Sequence, residues 1–234
     1  MPIQFDNNTQ TFHIQTPNTS YVFRRRGSHI LEHLYYGKRL DSLEGVETYN
    51  YGRFVSGVSV DPEFAADTGG AEAGAGKKEG EKTPEFISSG VVLQEYSFLG
   101  CCDMRRPGFH ATYENGSRIT KADYVSHKIY DSKPKLPGLP ATYVENDNEA
   151  QTLEILMRDE LTGFEFIYRY TAFTDLDVIT RNIQVTNAGK CSAKINRIMS
   201  MSFDFMDHEF DFIDLHGAWG RESYIEKSPL TYGC

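Results

Sequence analysis

One tryptophan, four cysteines and no basic run longer than Arg24–Arg26 occur in these 234 residues, and each scarcity excludes something. Cys101, Cys102, Cys191 and Cys234 are scattered apart from one adjacent pair. That is neither a disulfide framework nor a zinc spacing, and it suits a reducing cytoplasm. The Asn-x-Ser/Thr triplets at Asn7, Asn18 and Asn115 are then expected to go unglycosylated. Lysine and arginine number 24 against 33 acids, a net charge of −9. Counterion release needs clustered cations, so nucleic acid is not an expected partner. No apolar stretch approaches a membrane span, and the opening M-P-I-Q-F-D-N-N-T has neither a positive n-region nor an apolar h-region. A membrane association is therefore not expected, and the cytoplasm is the expected location. Gly-x-Ser-x-Gly is absent, and Gly76–Lys78 lacks the glycine spacing and the following Ser/Thr of a phosphate loop. No cofactor is implied.

What is present is β patterning. Fourteen Tyr and 15 Phe favour strands, and no window carries a convincing 3.6-residue apolar period. Thr11–Thr16 alternates, with Phe12 and Ile14 on one face and His13 and Gln15 on the other. Tyr21–Arg25 and His29–Tyr36 follow across a turn at Gly27-Ser28, and Asn115-Gly116 makes a tight turn after Phe109–Tyr113. Thr152–Met157 and Glu165–Phe173 flank Asp159–Gly163, a hairpin signal. Val178–Thr186 and Ala193–Phe205 flank Asn187–Lys190, read as a second hairpin. The expected fold is an all-β antiparallel sandwich.

Two stretches break the pattern. Residues 65–85, rich in Gly, Ala, Lys and Glu, have almost nothing to bury and are expected to form a flexible insertion between strands. Lys133–Thr142 holds three prolines, which cannot donate ladder hydrogen bonds; it is expected to be an edge or a loop carrying the chain from one sheet to the other.

Candidate chemistry is sparse. Asp204, Asp207, His208, Glu209, Asp211, Asp214 and His216 form an acidic group, but Phe203, Phe205, Phe210 and Phe212 alternate with it. That pattern fits a half-buried hairpin with a polar turn at Asp207–Glu209 and a solvated acidic face. It matches neither a calcium loop nor a zinc helix, so no metal site is assigned. His29 and His33 lack a nearby acid or cysteine of suitable spacing. No pair of carboxylates is singled out for glycoside chemistry. The lone Trp219 lies between small residues in G-A-W-G-R-E, which leave its indole face to be covered by something else, a core or a sugar ring. Size and burial statistics alone favour the core.

Several stretches together resemble the opening of a glycoside hydrolase family 36 α-galactosidase. They include Phe12–Gln15, Thr19–Val22, His33–Lys38, Gln94–Tyr96, Asp103–Arg105, Glu114–Ser117, Ser126–Tyr130, Gly138–Val144, Asp177–Arg181 and His216–Glu222, in order across nearly the whole chain. The resemblance implies that residues 1–234 are part of an N-terminal β-supersandwich, incomplete at its C-terminal end, preceding a catalytic (β/α)8 barrel. The barrel of the family carries two aspartates for retaining hydrolysis of terminal α-galactose, as in melibiose and raffinose. No catalytic residue is then expected here, and the chain alone is expected to be inactive. The resemblance further implies a homotetramer in which N-terminal loops help wall the substrate site. Two positions follow from it as substrate-binding candidates: Trp219, and Gly52, which stands where the family usually has an acid. Glycine offers no side chain for a sugar hydroxyl, and Met104 stands where Phe is usual. A free-standing carbohydrate-binding β-sandwich module is the alternative reading, and a metal-binding or interaction domain built on Asp204–His216 a third.

Overall fold

The computed structural model describes residues 2–28, 30–46, 92–100, 106–138, 141–202 and 209–231. The insertion at 65–85, Gly52, Met104, His29, Cys101 and Cys102 lie outside them, as do Asp204, Asp207 and His208. The chain divides into two units, residues 1–203 and 204–234.

The first unit is built on two four-stranded antiparallel sheets. One runs β1 (Ile3–Asp6), β2 (Thr11–Gln15), β3 (Thr19–Arg26), β4 (Ile30–Lys38) in chain order. The other runs β6 (Asp123–Asp131), β7 (Ala150–Asp159), β8 (Phe164–Phe173), β9 (Ile179–Asn187). A third, two-stranded pair joins β5 (Phe109–Tyr113) to β10 (Ala193–Ile198). One turn of 3-10 helix lies at Asp147–Glu149. The all-β sandwich read from the sequence is the fold observed.

Period-two alternation explains the core. Phe12 and Ile14 of β2, Tyr21 and Phe23 of β3, and Leu153, Ile155 and Met157 of β7 belong to one buried cluster with Phe164, Phe166, Tyr168 and Tyr170 of β8. Rings join the two sheets: Phe23 stacks on Tyr170 with centroids 5.0 Å apart. Phe166 meets Phe98 and Phe109 edge-on, each at 4.9 Å. Edge-to-face and offset pairs of this kind add about 0.5–1.5 kcal/mol each beyond the area they bury.

The hairpin expected at Asp159–Gly163 joins β7 to β8 in unbroken register. The Asp159 carboxylate accepts the amides of Leu161 and Thr162, and Gly163 takes φ +76°. The Asn115-Gly116 turn also forms, with Gly116 at φ +81° donating to the Tyr113 carbonyl. Two connections differ from expectation. Asn187–Lys190 is not a hairpin turn, because β9 pairs with β8 whereas β10 pairs with β5. The Gly189 backbone lies against Thr162 and Gly163, leaving no room for a Cβ, and the chain passes there from one sheet to another. Lys133–Thr142 does the opposite: β6 and β7 on either side of it are neighbours in one sheet, so it is a long excursion within a sheet and not a crossing. Local turn chemistry looks alike in both cases. Which strand the returning chain pairs with is decided by packing far along the sequence.

The second unit is a hairpin of β11 (Asp211–Ala218) and β12 (Arg221–Pro229). Its two-residue turn is Trp219-Gly220, with Gly220 at φ +74°.

Candidate functional site

The hairpin tip is built by three small residues. Between the His216–Tyr224 and Ala218–Arg221 pairings, Gly217 stands opposite two residues, Glu222 and Ser223, so the extra residue of the bulge lies on β12, where Ser223 takes φ +63°. A methyl group on Gly217 would run into the carbonyl oxygen of Arg221, so the close approach requires glycine. Gly220 supplies the positive φ, and its amide donates to Glu222 Oε1 at 2.8 Å. Glu222 in the G-A-W-G-R-E stretch therefore fastens the turn. Trp219, carried on that turn, is 97% exposed, against the burial expected from residue type alone.

Beside the tip, a cleft of about 590 Å³ is lined by His216, Arg221, Tyr224, Ile225 and Glu226 together with Gly217 and Ala218. Cross-strand pairing puts Asp214 opposite Glu226 and His216 opposite Tyr224 on one face. Asp214 Oδ1 accepts from His216 Nδ1 at 2.9 Å, and His216 Nε2 stands 3.2 Å from Glu226 Oε2. Two residues of the acidic stretch are thus joined by Glu226, which the sequence reading did not include; cross-strand register supplies the signal that sequence spacing lacks. Asp214, His216 and Glu226 have the ligand types for a divalent ion, but all are exposed or half-exposed, and both histidine nitrogens already face carboxylates. On the other face, Ile213, Leu215 and Ile225 are 59%, 66% and 74% exposed. Gly52, the other residue singled out, lies outside the described residues.

A second polar cluster sits inside the sandwich and was not foreseen. Glu95 is fully buried. Its carboxylate accepts the Tyr21 hydroxyl at 2.7 and 2.9 Å and the Tyr170 hydroxyl at 2.7 Å. His33 Nδ1 lies 2.9 Å from Glu95 Oε1, and Arg181 Nη1 lies 3.4 Å from Oε2. Arg181 also donates from Nη2 to the Glu95 carbonyl at 2.6 Å and rests over the Tyr170 ring, 4.9 Å from its centroid. Burial alone would push the Glu95 carboxyl up, but the His33 hydrogen bond and the Arg181 charge, with Tyr170, hold it below the ordinary glutamate range. Burial, with the Glu95 charge, pushes the Tyr21 and Tyr170 phenols well above their usual range, which keeps them donors. A bulge makes this possible. Val22 pairs with Tyr35 and Phe23 with His33, so Leu34 is the extra residue and His33 turns to the core face. Residue types gave no such signal, because Glu95 lies 62 positions from His33 and 86 from Arg181. The cluster ties five segments together, namely β3, β4, the stretch around Glu95, β8 and β9; its chemistry is structural.

Comparison with known proteins bears on the whole chain. The family model described as the glycosyl hydrolase family 36 N-terminal domain matches residues 29–234. This chain belongs to that family. It is 37% identical to α-galactosidase AgaA of Geobacillus stearothermophilus over 233 residues, covering 100% of this chain and 29% of that protein. The crystal structure of the family's α-galactosidase AgaB from the same organism superposes with a TM-score of 0.78 at 36% identity, covering 100% of this chain and 29% of that one. An AgaA variant solved in complex with raffinose superposes with a TM-score of 0.77 at 37% identity, over 95% of this chain and 28% of that chain. The chain thus spans less than a third of the length of the relatives it matches.

Proposed function

We propose that this chain is the N-terminal part of an α-galactosidase acting on raffinose-type α-galactosides, and that it supplies one wall of the substrate site together with contacts for assembly. The relatives support the activity: proteins of the same family at this identity are named α-galactosidases, and one was solved with raffinose. The hydrolytic carboxylates belong, on this reading, to the part of the parent enzyme that these 234 residues do not cover.

The observation that carries the wall assignment is Trp219. An indole on a short turn, 97% exposed and fastened by Gly217, Gly220 and Glu222, presents a flat apolar face. The axial C–H bonds of a galactosyl ring pack on such a face, while Arg221, Tyr224 and Glu226 beside it offer donors and acceptors for hydroxyl groups. The experiment is Trp219→Ala in the full-length enzyme. The expected result is a fall in kcat/KM for raffinose with little change in Tm; unchanged kinetics with a lowered Tm would return the residue to a structural role.

Assembly as a homotetramer is part of the same proposal. A two-stranded hairpin is marginal by itself in water, and the exposed Ile213, Leu215 and Ile225 face needs a cover to hold it. Closed symmetric association supplies such cover with the chain's own surface. Sedimentation of the full-length enzyme tests it, and a monomer would remove this part. A cytoplasmic location is proposed with it, supported by the free, exposed thiol of Cys191.

A further inference from the structure

We propose that Ser223 is a positioning residue of the substrate wall: its left-handed backbone makes the bulge that turns Arg221 into the cleft beside Tyr224 and sets the aim of Trp219. The inference rests on the reading of Trp219 as that wall, and it adds the residue that holds the hairpin tip in its working shape.

Arg221 and Tyr224 are three residues apart, and in a regular strand an odd spacing sends two side chains to opposite faces. Both nevertheless line the cleft with His216 and Glu226. Register explains how. Tyr224 pairs with His216 and Arg221 with Ala218, which are two residues apart on β11 and so share a face. Glu222 and Ser223 together stand opposite Gly217, so the extra residue takes up the odd step. Leu215 and Ile225, paired on the other face, keep their place. If β12 ran on without the bulge, Arg221 would share the apolar face of Ile225 and leave the cleft without its guanidinium.

The bulge is kept at a conformational cost. Ser223 takes φ +63°, a region that residues with a side chain seldom enter and that serine enters less readily than Asn or Asp. Gln10 and Ser132 are also left-handed, and hydrogen bonds settle both. The Gln10 side chain donates to the Asn7 carbonyl at 2.6 Å, and Ser132 exchanges backbone bonds with Ala150 and the Thr152 hydroxyl, each at 2.7 Å. Ser223 is different: it is exposed, stands within a strand, and lies four residues from Trp219. The pairings on either side of it hold it there. They also press the Arg221 carbonyl onto Gly217, immediately behind the Trp219-Gly220 turn. A bulge bends its strand and increases the local twist, so the direction of the tip is decided at this point. Backbone strain kept at an exposed position, with no core to fill, is the mark of a functional constraint, since glycine would take the same conformation freely.

The test is a set of variants of the full-length enzyme assayed on raffinose. Ser223→Val, whose branched side chain opposes a positive φ, is expected to raise KM about tenfold with kcat nearly kept. Ser223→Gly, which holds the bulge without strain, is expected to keep both constants. Placed on Trp219→Ala, Ser223→Val is expected to cost clearly less than in the unchanged enzyme, because the group it positions is already gone. An unchanged KM in Ser223→Val, an equal loss in both backgrounds, or a loss in Ser223→Gly matching that of Ser223→Val would overturn the proposal. Failure here and failure of the wall reading are distinguishable. Unchanged kinetics in Trp219→Ala would remove both, whereas a loss in Trp219→Ala beside an inert Ser223→Val would remove the positioning role alone.

Discussion

Replacing Glu95 by Gln tests whether the buried polar cluster holds the sandwich together. The substitution keeps the shape and one carbonyl acceptor but removes the charge that Arg181 faces at 3.4 Å. It also sets an NH2 group against donors, since both phenols and His33 point at the carboxylate. Arg181, 7% exposed, stays charged and loses its counter-ion. Breaking a buried pair in this way costs about 3–5 kcal/mol, much of it the penalty of the orphaned charge. For a domain of this size each kcal/mol lowers Tm by roughly 2–4 °C, so a fall of about 6–20 °C is expected. Urea melts followed by far-UV circular dichroism give the free energy directly. The pH dependence supplies an independent check. Because the folded pKa of Glu95 is depressed, its contribution is fully present above the ordinary glutamate value of about 4.3 and is lost as pH falls through the lower folded value. The gap between the unchanged chain and Glu95→Gln should therefore be widest near neutrality and close in acid. Adding Arg181→Met should recover part of the loss, since the orphaned cation is then gone. A loss below about 1 kcal/mol, or a gap that persists undiminished in acid, would refute the account.

Other outcomes follow from single features. Gly163→Ala and Gly116→Ala both place a methyl group at positive φ, but Gly163 abuts the Gly189 backbone whereas Gly116 faces open space. Equilibrium melts should show about 1 kcal/mol lost at Gly116 and clearly more at Gly163; equal losses would mean the turn-on-turn contact is unimportant. Phe166→Ala removes a fully buried ring that joins Phe98 and Phe109, and should cost about 3–5 kcal/mol by urea denaturation. Trp219, the one tryptophan, should emit like a free indole in water and be quenched freely by acrylamide; a blue-shifted, protected emission would contradict its exposure. The isolated 234-residue chain should release no product from an aryl α-galactoside, and turnover by the purified chain would overturn the division of labour proposed here.

Much of the framework was legible in the chain itself, and the failures are informative. The 159–163 hairpin was readable because an Asp side chain that caps two amides and a glycine at positive φ act within five residues. Asn187–Lys190 carries similar turn residues but serves a passage between sheets, since only the distant β5 decides where β10 pairs. The three prolines of Lys133–Thr142 marked a break in the strand pattern, yet not the sheet to which the chain returns. At the candidate site, the small residues around Trp219 showed that its own strand leaves the indole bare, while residue statistics favoured a core; its place on the turn, and Glu226 beside His216, came from register.

Alternation and turn chemistry are local, and they determined by themselves that this protein is built of antiparallel strands with an aromatic core; ordered sequence motifs determined its resemblance to family 36. Tertiary structure alone decided the rest. A one-residue bulge at Leu34 swung His33 inward to Glu95, and strand pairing brought Tyr21, Tyr170 and Arg181 to the same carboxylate. The physical reason is shared. A charge is tolerated in a low-dielectric interior only beside its partners, and partners drawn from strands tens of residues apart become neighbours only when the sheets close.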